Sequence, residues 1–343
     1  MNYYVLPKIC LDNLEIEIQF NNVLIPYISH SCDIFLHKLN KQLNEIKQGD
    51  LDKLSLYVNQ LSGLNDFNIS KLDNINYDMI EIFNLFNRHD MTKINDILVV
   101  SKTDIEISNS LSFLGYSNKN ILLQNLNIFK ENNNTKYDLI IFDETPININ
   151  LYIKKFILQL NFILNHMNNS GICIIKLENT FHKSILDIIY ILCSMFEKNS
   201  LFKPLSSNNT DSEKYLILKR FKCSETNILK LLSNLESIVE NIESQNGIDN
   251  MNIFISSIIK QDIPYHFLNK IEEINVIFCQ QQLETIDQLI NLSKNKHKDD
   301  KIKVLKMNNI QKCIQWCEKY DIPHNKIIEK SNIFISSTSL EMS

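Results

Sequence analysis

The stretch Tyr137-Asp138-Leu139-Ile140-Ile141-Phe142-Asp143 decides the fold. Four consecutive apolar residues in its middle read as a strand covered on both faces, because a half-exposed strand would alternate. It ends on a carboxylate. Upstream, Ile97-Leu98-Val99-Val100 is a second short apolar run, and Asn120–Gln124 is another strand candidate. Downstream, Ser170-Gly171 makes a turn before Ile172–Leu177, a further buried strand. Helical patterns fill the gaps: Ile105–Leu114, closed by Gly115 as a left-handed cap, Ile149–Met167, and Phe181–Phe196. Residues 199–223 read as a terminal strand pair around a Ser/Asn-rich loop, with Lys214–Phe221 as the last strand. This alternation predicts an α/β fold with a mainly parallel, doubly wound sheet. Ligands of such sheets sit beyond the carboxyl ends of the strands, where Asp143 and Lys176 both fall.

Working outward, residues 1–70 begin with apolar, tyrosine-bearing stretches (Tyr3–Pro7, Ile16–Tyr27). A polar helical pattern follows over His30–Lys47, with Ile34, Leu36, Leu39 and Leu43 on roughly one face. A second helix is expected over 75–87, burying Met79, Ile82, Phe83 and Phe86. Residues 224–343 look mainly helical apart from Asn252–Ile259. The expected organisation is therefore a mostly helical extension (1–70), a core domain (71–223) and a mostly helical C-terminal extension (224–343). The polar run Ser293–Lys303 reads as a solvated turn rather than a nucleic-acid patch.

Composition narrows the function classes. The 343 residues are 44% hydrophobic and 22% charged, which argues against wholesale disorder. A net charge of −5 gives no global positive field, so DNA readout is not expected. No apolar run is long enough to span a bilayer, and no membrane partner is expected. Alanine is absent, glycine is scarce, and Arg88 and Arg220 are the only arginines, as a genome poor in G and C would produce. The eight cysteines lack metal-ligand spacing: Cys313 and Cys317 lie four apart with no partner pair, so they read as reduced thiols of a cytosolic compartment, not a zinc site. Glu144 beside Asp143 does not make a metal site, and His182 and His266 have no triad-like partners.

Three segments carry the chemistry: Asp138–Pro146, which ends Asp143-Glu144-Thr145-Pro146; Ser170–Leu177, with Lys176 near its end; and Lys203-Pro204-Leu205-Ser206-Ser207, followed by Glu213-Lys214-Tyr215. In order and spacing they resemble the FtsJ-like family of ribose 2′-O-methyltransferases. That family's pattern is an Asp before a Pro, a Lys ending the next strand, then Lys-Pro-x-Ser-Ser-Arg leading to Glu and Tyr. Here the loop arginine is Asn208 and a later serine is Asp211. The resemblance implies a Rossmann-like methyltransferase sheet, S-adenosylmethionine as cofactor where the enzyme is active, and a Lys-Asp-Lys-Glu tetrad whose last three places fall to Asp143, Lys176 and Glu213. Such a tetrad uses a lysine of depressed pKa to take the proton of a ribose hydroxyl, with the other members tuning its charge. The opening Tyr3-Tyr4-Val5-Leu6-Pro7-Lys8, Pro26–Ser31, and tail segments such as Ile263-Pro264-Tyr265 and Trp316-Cys317-Glu318 resemble FtsJ-like proteins of large cytoplasmic DNA viruses. This implies capped mRNA or viral transcription and capping proteins as partners, and a cytoplasmic viral factory or the virion as location.

Two departures point to a degenerate member. The family's first lysine sits in a helix that matches Ile75–Ile82, and its place holds Asp78, whose charge has the wrong sign. Lys71 and Lys93 do not fit that helix face. The Gly-rich turn after the first strand is replaced by Val100-Ser101-Lys102-Thr103-Asp104, with no glycine to permit close backbone approach. Ser101, Lys102 and Asp143 are the residues left to hold a cofactor. The 36 residues from 102 to 137 are too few for three helices and two strands, so the cofactor half is expected to be trimmed. The expectation is a non-catalytic accessory or scaffold protein that needs no cofactor. An active cap 2′-O-methyltransferase and a virion structural or interaction protein are the alternatives.

Overall fold

The computed structural model describes residues 3–9, 15–67, 69–86, 93–116, 120–124, 135–144, 148–224, 226–229, 231–235, 254–294 and 299–325. The main sheet contains β1 (Tyr3–Val5), β3 (Asp96–Ser101), β4 (Asn120–Gln124), β5 (Tyr137–Asp143), β6 (Met167–Leu177), β7 (Phe196–Phe202) and β8 (Lys214–Phe221), in the order β1-β7-β8-β6-β5-β3-β4. The β4-β3-β5-β6 half is parallel, as the apolar runs predict. The other half is not: β8 runs antiparallel to both β6 and β7, and β1 antiparallel to β7. The sheet is thus mixed rather than mainly parallel. A strand pair joined by a short polar loop, 203–213 here, returns antiparallel, since a parallel return needs a crossover of a dozen or more residues.

Both faces are covered. Leu98, Val100, Ile140, Phe142, Cys173 and Ile175 pack against α6 (Ile149–His166) and α7 (Lys183–Met195). Ile97, Val99, Leu139, Ile141 and Ile174 pack against α4 (Tyr77–Phe83) and α5 (Asp104–Leu111). Burial on both sides is why these strands show no alternation in sequence. β6 begins at Met167, earlier than the apolar run, and absorbs Ser170 at φ 63 beside Gly171. A Cβ on Gly171 would come within 2.8 Å of the Asn168 carbonyl and 2.5 Å of the Met167 sulfur. Past α5, the chain leaves through Gly115 at φ 91, a conformation glycine adopts without strain.

The terminal regions close on this core. β1 pairs Tyr3 with Phe202 at the sheet edge, and β2 (Ile16–Asn21) pairs with β9 (Phe254–Ile259) in a separate two-stranded ribbon. α1 (His30–Asn44) and the 30-residue α8 (Tyr265–Lys294) share a cluster of Cys32, Leu36, Cys279, Ile286 and Ile290. α9 (Asp299–Lys319) packs Ile310, Cys313, Trp316 and Cys317 on Leu61, Leu64, Tyr77 and Ile80, beside α2 (Gln48–Val58) and α3 (Gly63–Asp66). The described part of the polar run 293–303 is the end of α8 and the start of α9, so it is helix rather than turn. Among the described residues no helix is long and apolar enough to cross a membrane.

Candidate functional site

The strand order reverses at β3, with β4 on one side and β5 on the other, so the crevice at the carboxyl ends of β3 and β5 is where an open α/β sheet places a ligand. Register puts Ser101 opposite Asp143 there and Lys176 opposite Tyr215 two strands away. The β8 approach adds Glu213. From the other side, α4 is capped by the Asn76 carboxamide, which accepts from the Met79 N–H. It is also tied to α5 by Ser110, whose hydroxyl donates to the Asn76 carbonyl. This anchoring aims Asp78, in the first turn, into the same crevice.

Asp143, Lys176 and Glu213, distant in sequence, do come together. The Lys176 ammonium lies 2.9 Å from Glu213 Oε2 and 3.6 Å from Asp143 Oδ1. Asp78 joins them through Tyr215, a fully buried residue that sequence reasoning quoted within the motif but did not assign to the site. Its hydroxyl donates to Asp143 Oδ1 at 2.9 Å and lies 3.3 Å from Asp78 Oδ2, so one hydrogen serves two carboxylates. Ser206 donates to Asp78 Oδ1 at 2.6 Å. Burial pushes the Asp78 carboxyl up to about 6, further raised by Glu81 and Asp143. Burial works to lower the Lys176 pKa, but Asp143, Glu213 and Asp78 together outweigh it, and the net shift is upward. A lysine held charged in this way is a poor base.

Two further lysines support the loop between β7 and β8. Lys203 is buried and donates to the Asp211 and Glu213 carbonyls at 2.6 and 3.0 Å. Desolvation lowers it to about 8. Lys214 donates to the Glu178 and Ser212 carbonyls, and burial lowers it to about 7. Within the loop the Asn208 amide donates to Asp211 Oδ2 at 2.9 Å. Buried Glu81 accepts from the Leu205 and Ser206 N–H groups and from Trp316 Nε1, joining α4, this loop and α9 in one network. Lys71 is exposed, its N–H bonded to the Pro323 carbonyl, and Lys93 lines a cavity with Asp138 and Arg220 at the opposite, amino end of the strands. Neither takes the place that Asp78 holds.

The turn after β3 is filled from within. Ser101 is buried, its hydroxyl accepts from the Thr103 N–H at 3.0 Å, and it lies 3.3 Å from the Asp143 carbonyl. Lys102 is exposed, and Asp104 and Glu106 occupy the first turn of α5. Glu144, just past Asp143, pairs with Lys155. Pro146 lies outside the described residues. Between β3 and β5 a single further strand, β4, forms the sheet edge among the described residues. Among the described residues no group of three or more His, Cys, Asp or Glu is arranged to hold a metal ion. Among the described residues the His182 ring bonds to the Ile25 carbonyl, at 3.4 Å.

No family model matches the chain. It is similar to the mRNA-capping enzyme small subunit of swinepox virus (strain Kasza), 25% identical over 74% of this chain and 82% of that protein. The protein of the same name from fowlpox virus (strain NVSL) is 27% identical over 70% of this chain and 71% of its own length. A cap-specific mRNA (nucleoside-2′-O-)-methyltransferase 2 of Pongo abelii is 27% identical over 51% of this chain but only 22% of that protein. These likenesses support relationship to a viral, methyltransferase-related family connected with mRNA capping. Among solved structures, "Alphavirus P23pro-zbd" aligns with a TM-score of 0.30 at 18% identity over 46% of this chain and 25% of that chain, a likeness that carries no argument.

Proposed function

We propose that this chain is an accessory subunit of an mRNA-capping apparatus, built on an FtsJ-like, Rossmann-like methyltransferase fold that has lost methyl transfer. One observation carries the reading: Asp78 stands where the resemblance expects the first lysine, and its carboxylate joins Asp143 and Glu213 in holding Lys176 above its ordinary pKa. In the tetrad chemistry a neighbouring ammonium depresses the base lysine by like-charge repulsion; a neighbouring carboxylate does the reverse. The reaction needs a lysine that can accept a proton from a ribose hydroxyl, and this one is kept protonated.

The residues around the β3 turn do not fit S-adenosylmethionine. The turn holds no glycine, the Ser101 side chain occupies it by accepting from the Thr103 N–H, and the first turn of α5 carries Asp104 and Glu106, whose negative charge disfavours an anionic group there. The names of the poxvirus relatives support a subunit role, and their similarity runs over most of this chain and most of theirs. The two expectations of partners, capped mRNA and viral capping or transcription proteins, belong to this reading, as does a cytoplasmic factory or virion location.

Isothermal titration with S-adenosylmethionine, paired with methyl transfer to capped RNA, tests it. No heat of binding and no methylation are expected; micromolar binding ends the reading. The assembled Asp143–Lys176–Glu213 cluster favours a second reading, an active cap 2′-O-methyltransferase. That reading requires ribose methylation of capped RNA that Lys176→Ala abolishes.

A further inference from the structure

A cavity of about 560 Å³ lies between α2, α8, α9 and the 205–209 loop, and Asp78 is not among the residues that line it. Its wall mixes the apolar Val58, Leu205 and Leu305 with a majority of polar side chains. The amides of Gln60, Gln288, Asn308, Gln311 and Gln315 face it, and among the described residues none of these side chains bonds to the chain. They carry paired donors and acceptors in the planar geometry that matches the edge of a nucleobase. Tyr57 stands at one side of the cavity. Its ring is stacked on Phe67, with centroids 6.5 Å apart and planes 20° apart, so its orientation is fixed.

The charge around this groove differs from that of the whole chain. Along α9 five lysines stand against three carboxylates, in a protein of net charge −5. The helix sorts them. Leu305, Asn308, Lys312 and Gln315 of α9 line the groove, and the same helical face continues to Lys301 one turn before and Lys319 one turn after. Three lysines thus mark a stripe about 27 Å long at 1.5 Å per residue, with Lys312 in the cavity wall and Lys319 at the far end donating to the Tyr320 hydroxyl at 3.0 Å. Among the described residues that line the groove Glu284 is the one carboxylate, and it accepts from the Gln280 amide.

We infer that this groove binds single-stranded RNA, its bases against Tyr57 and the free amides and its phosphates along the Lys301–Lys312–Lys319 stripe. Aromatic faces and amide edges suit unpaired bases, and a row of ammonium groups suits a polyanion better than a neutral peptide. The inference does not rest on the accessory reading of the Lys176 site, and it needs no methyl transfer.

Fluorescence anisotropy of a labelled single-stranded RNA decamer, titrated with the full chain at 50 and 200 mM salt, tests it. The expected dissociation constant is on the order of 10–100 µM at physiological ionic strength, tightening as salt falls. Lys301→Glu with Lys312→Glu should weaken binding at least tenfold and flatten the salt dependence, with an unchanged circular dichroism spectrum. Tyr57→Leu should weaken it at both salts. Lys198→Glu, an exposed charge on β7 far from the groove, should change it less than twofold. Absence of RNA binding at 50 mM salt, as a groove made for a peptide would give, overturns the proposal. So does an equal loss in the Lys198 and Lys312 variants.

Discussion

Asp78 is the residue on which the site turns. Its carboxyl titrates near 6 instead of 3.8, chiefly because burial penalises its charge. A carboxyl raised in this way makes the folded state bind more protons than the unfolded one between about pH 4 and 6. Stability therefore falls as pH rises through that window, and the cost is fully present above it. Asp78→Asn removes the charge and keeps an acceptor for Ser206 and Tyr215. It should raise stability at pH 7 by about 1–3 kcal/mol and flatten the pH 4–6 slope, read by urea melts at several pH values. Asp78→Lys should act on the neighbour: the Lys176 pKa should drop below its ordinary value, measured by pH-dependent acylation of its amine. An unmoved Lys176 would remove the main argument for lost catalysis. The sequence placed Asp143, Lys176 and Glu213 near strand ends and singled out Asp78 by the resemblance, because motif spacing is a local property of the chain. Tyr215 as the bridge between two carboxylates was not legible there, since only strand register and the approach of α4 put its hydroxyl beside both.

At the scale of elements, two joints hold the site's walls in place. The first is the network around Glu81, in which one buried carboxylate accepts from two loop N–H groups and the Trp316 indole. Trp316→Phe keeps the ring packed on Tyr77 but leaves that carboxylate one donor short. A loss of about 1–3 kcal/mol is expected from thermal or urea unfolding, with the 203–213 loop becoming more protease-sensitive. The second is the irregular start of β6. Gly171→Ala should cost about 1–3 kcal/mol, because the new methyl meets the Asn168 carbonyl as well as the movable Met167 sulfur. The apolar runs of β3, β5 and β6 and the helix periods were readable because local sequence carries them. β1 was not: three residues have no period, and their partner Phe202 lies about 200 positions away. The β7–β8 pair was readable as two strands around a polar loop, but the antiparallel seating of β8 on β6 was not, since strand order follows tertiary packing rather than the strand's own residues.

Across the whole molecule, the extensions share the core's interior. Phe267, Ile271 and Ile274 of α8 belong to the same buried cluster as Phe142, Phe156 and Leu216, and Ile255, Ile258 and Ile259 of β9 join them. A chain ending at residue 223 is therefore expected to lose cooperative unfolding and to bind a hydrophobic dye, monitored by calorimetry and fluorescence. A sharp, undiminished transition would mean that the tail packs independently. The sequence by itself determined the α/β class, the central strands, and the strand ends at which Asp143 and Lys176 lie, because apolar period and motif spacing are local properties of a chain. Only the tertiary structure decided the mixed sheet, the Tyr215 bridge, the clamp of Trp316 on Glu81, and the alignment of lysines beside an amide-lined groove. Each of these depends on contacts between segments far apart in the chain, and such contacts are selected by the free energy of the whole packed core rather than by any one segment.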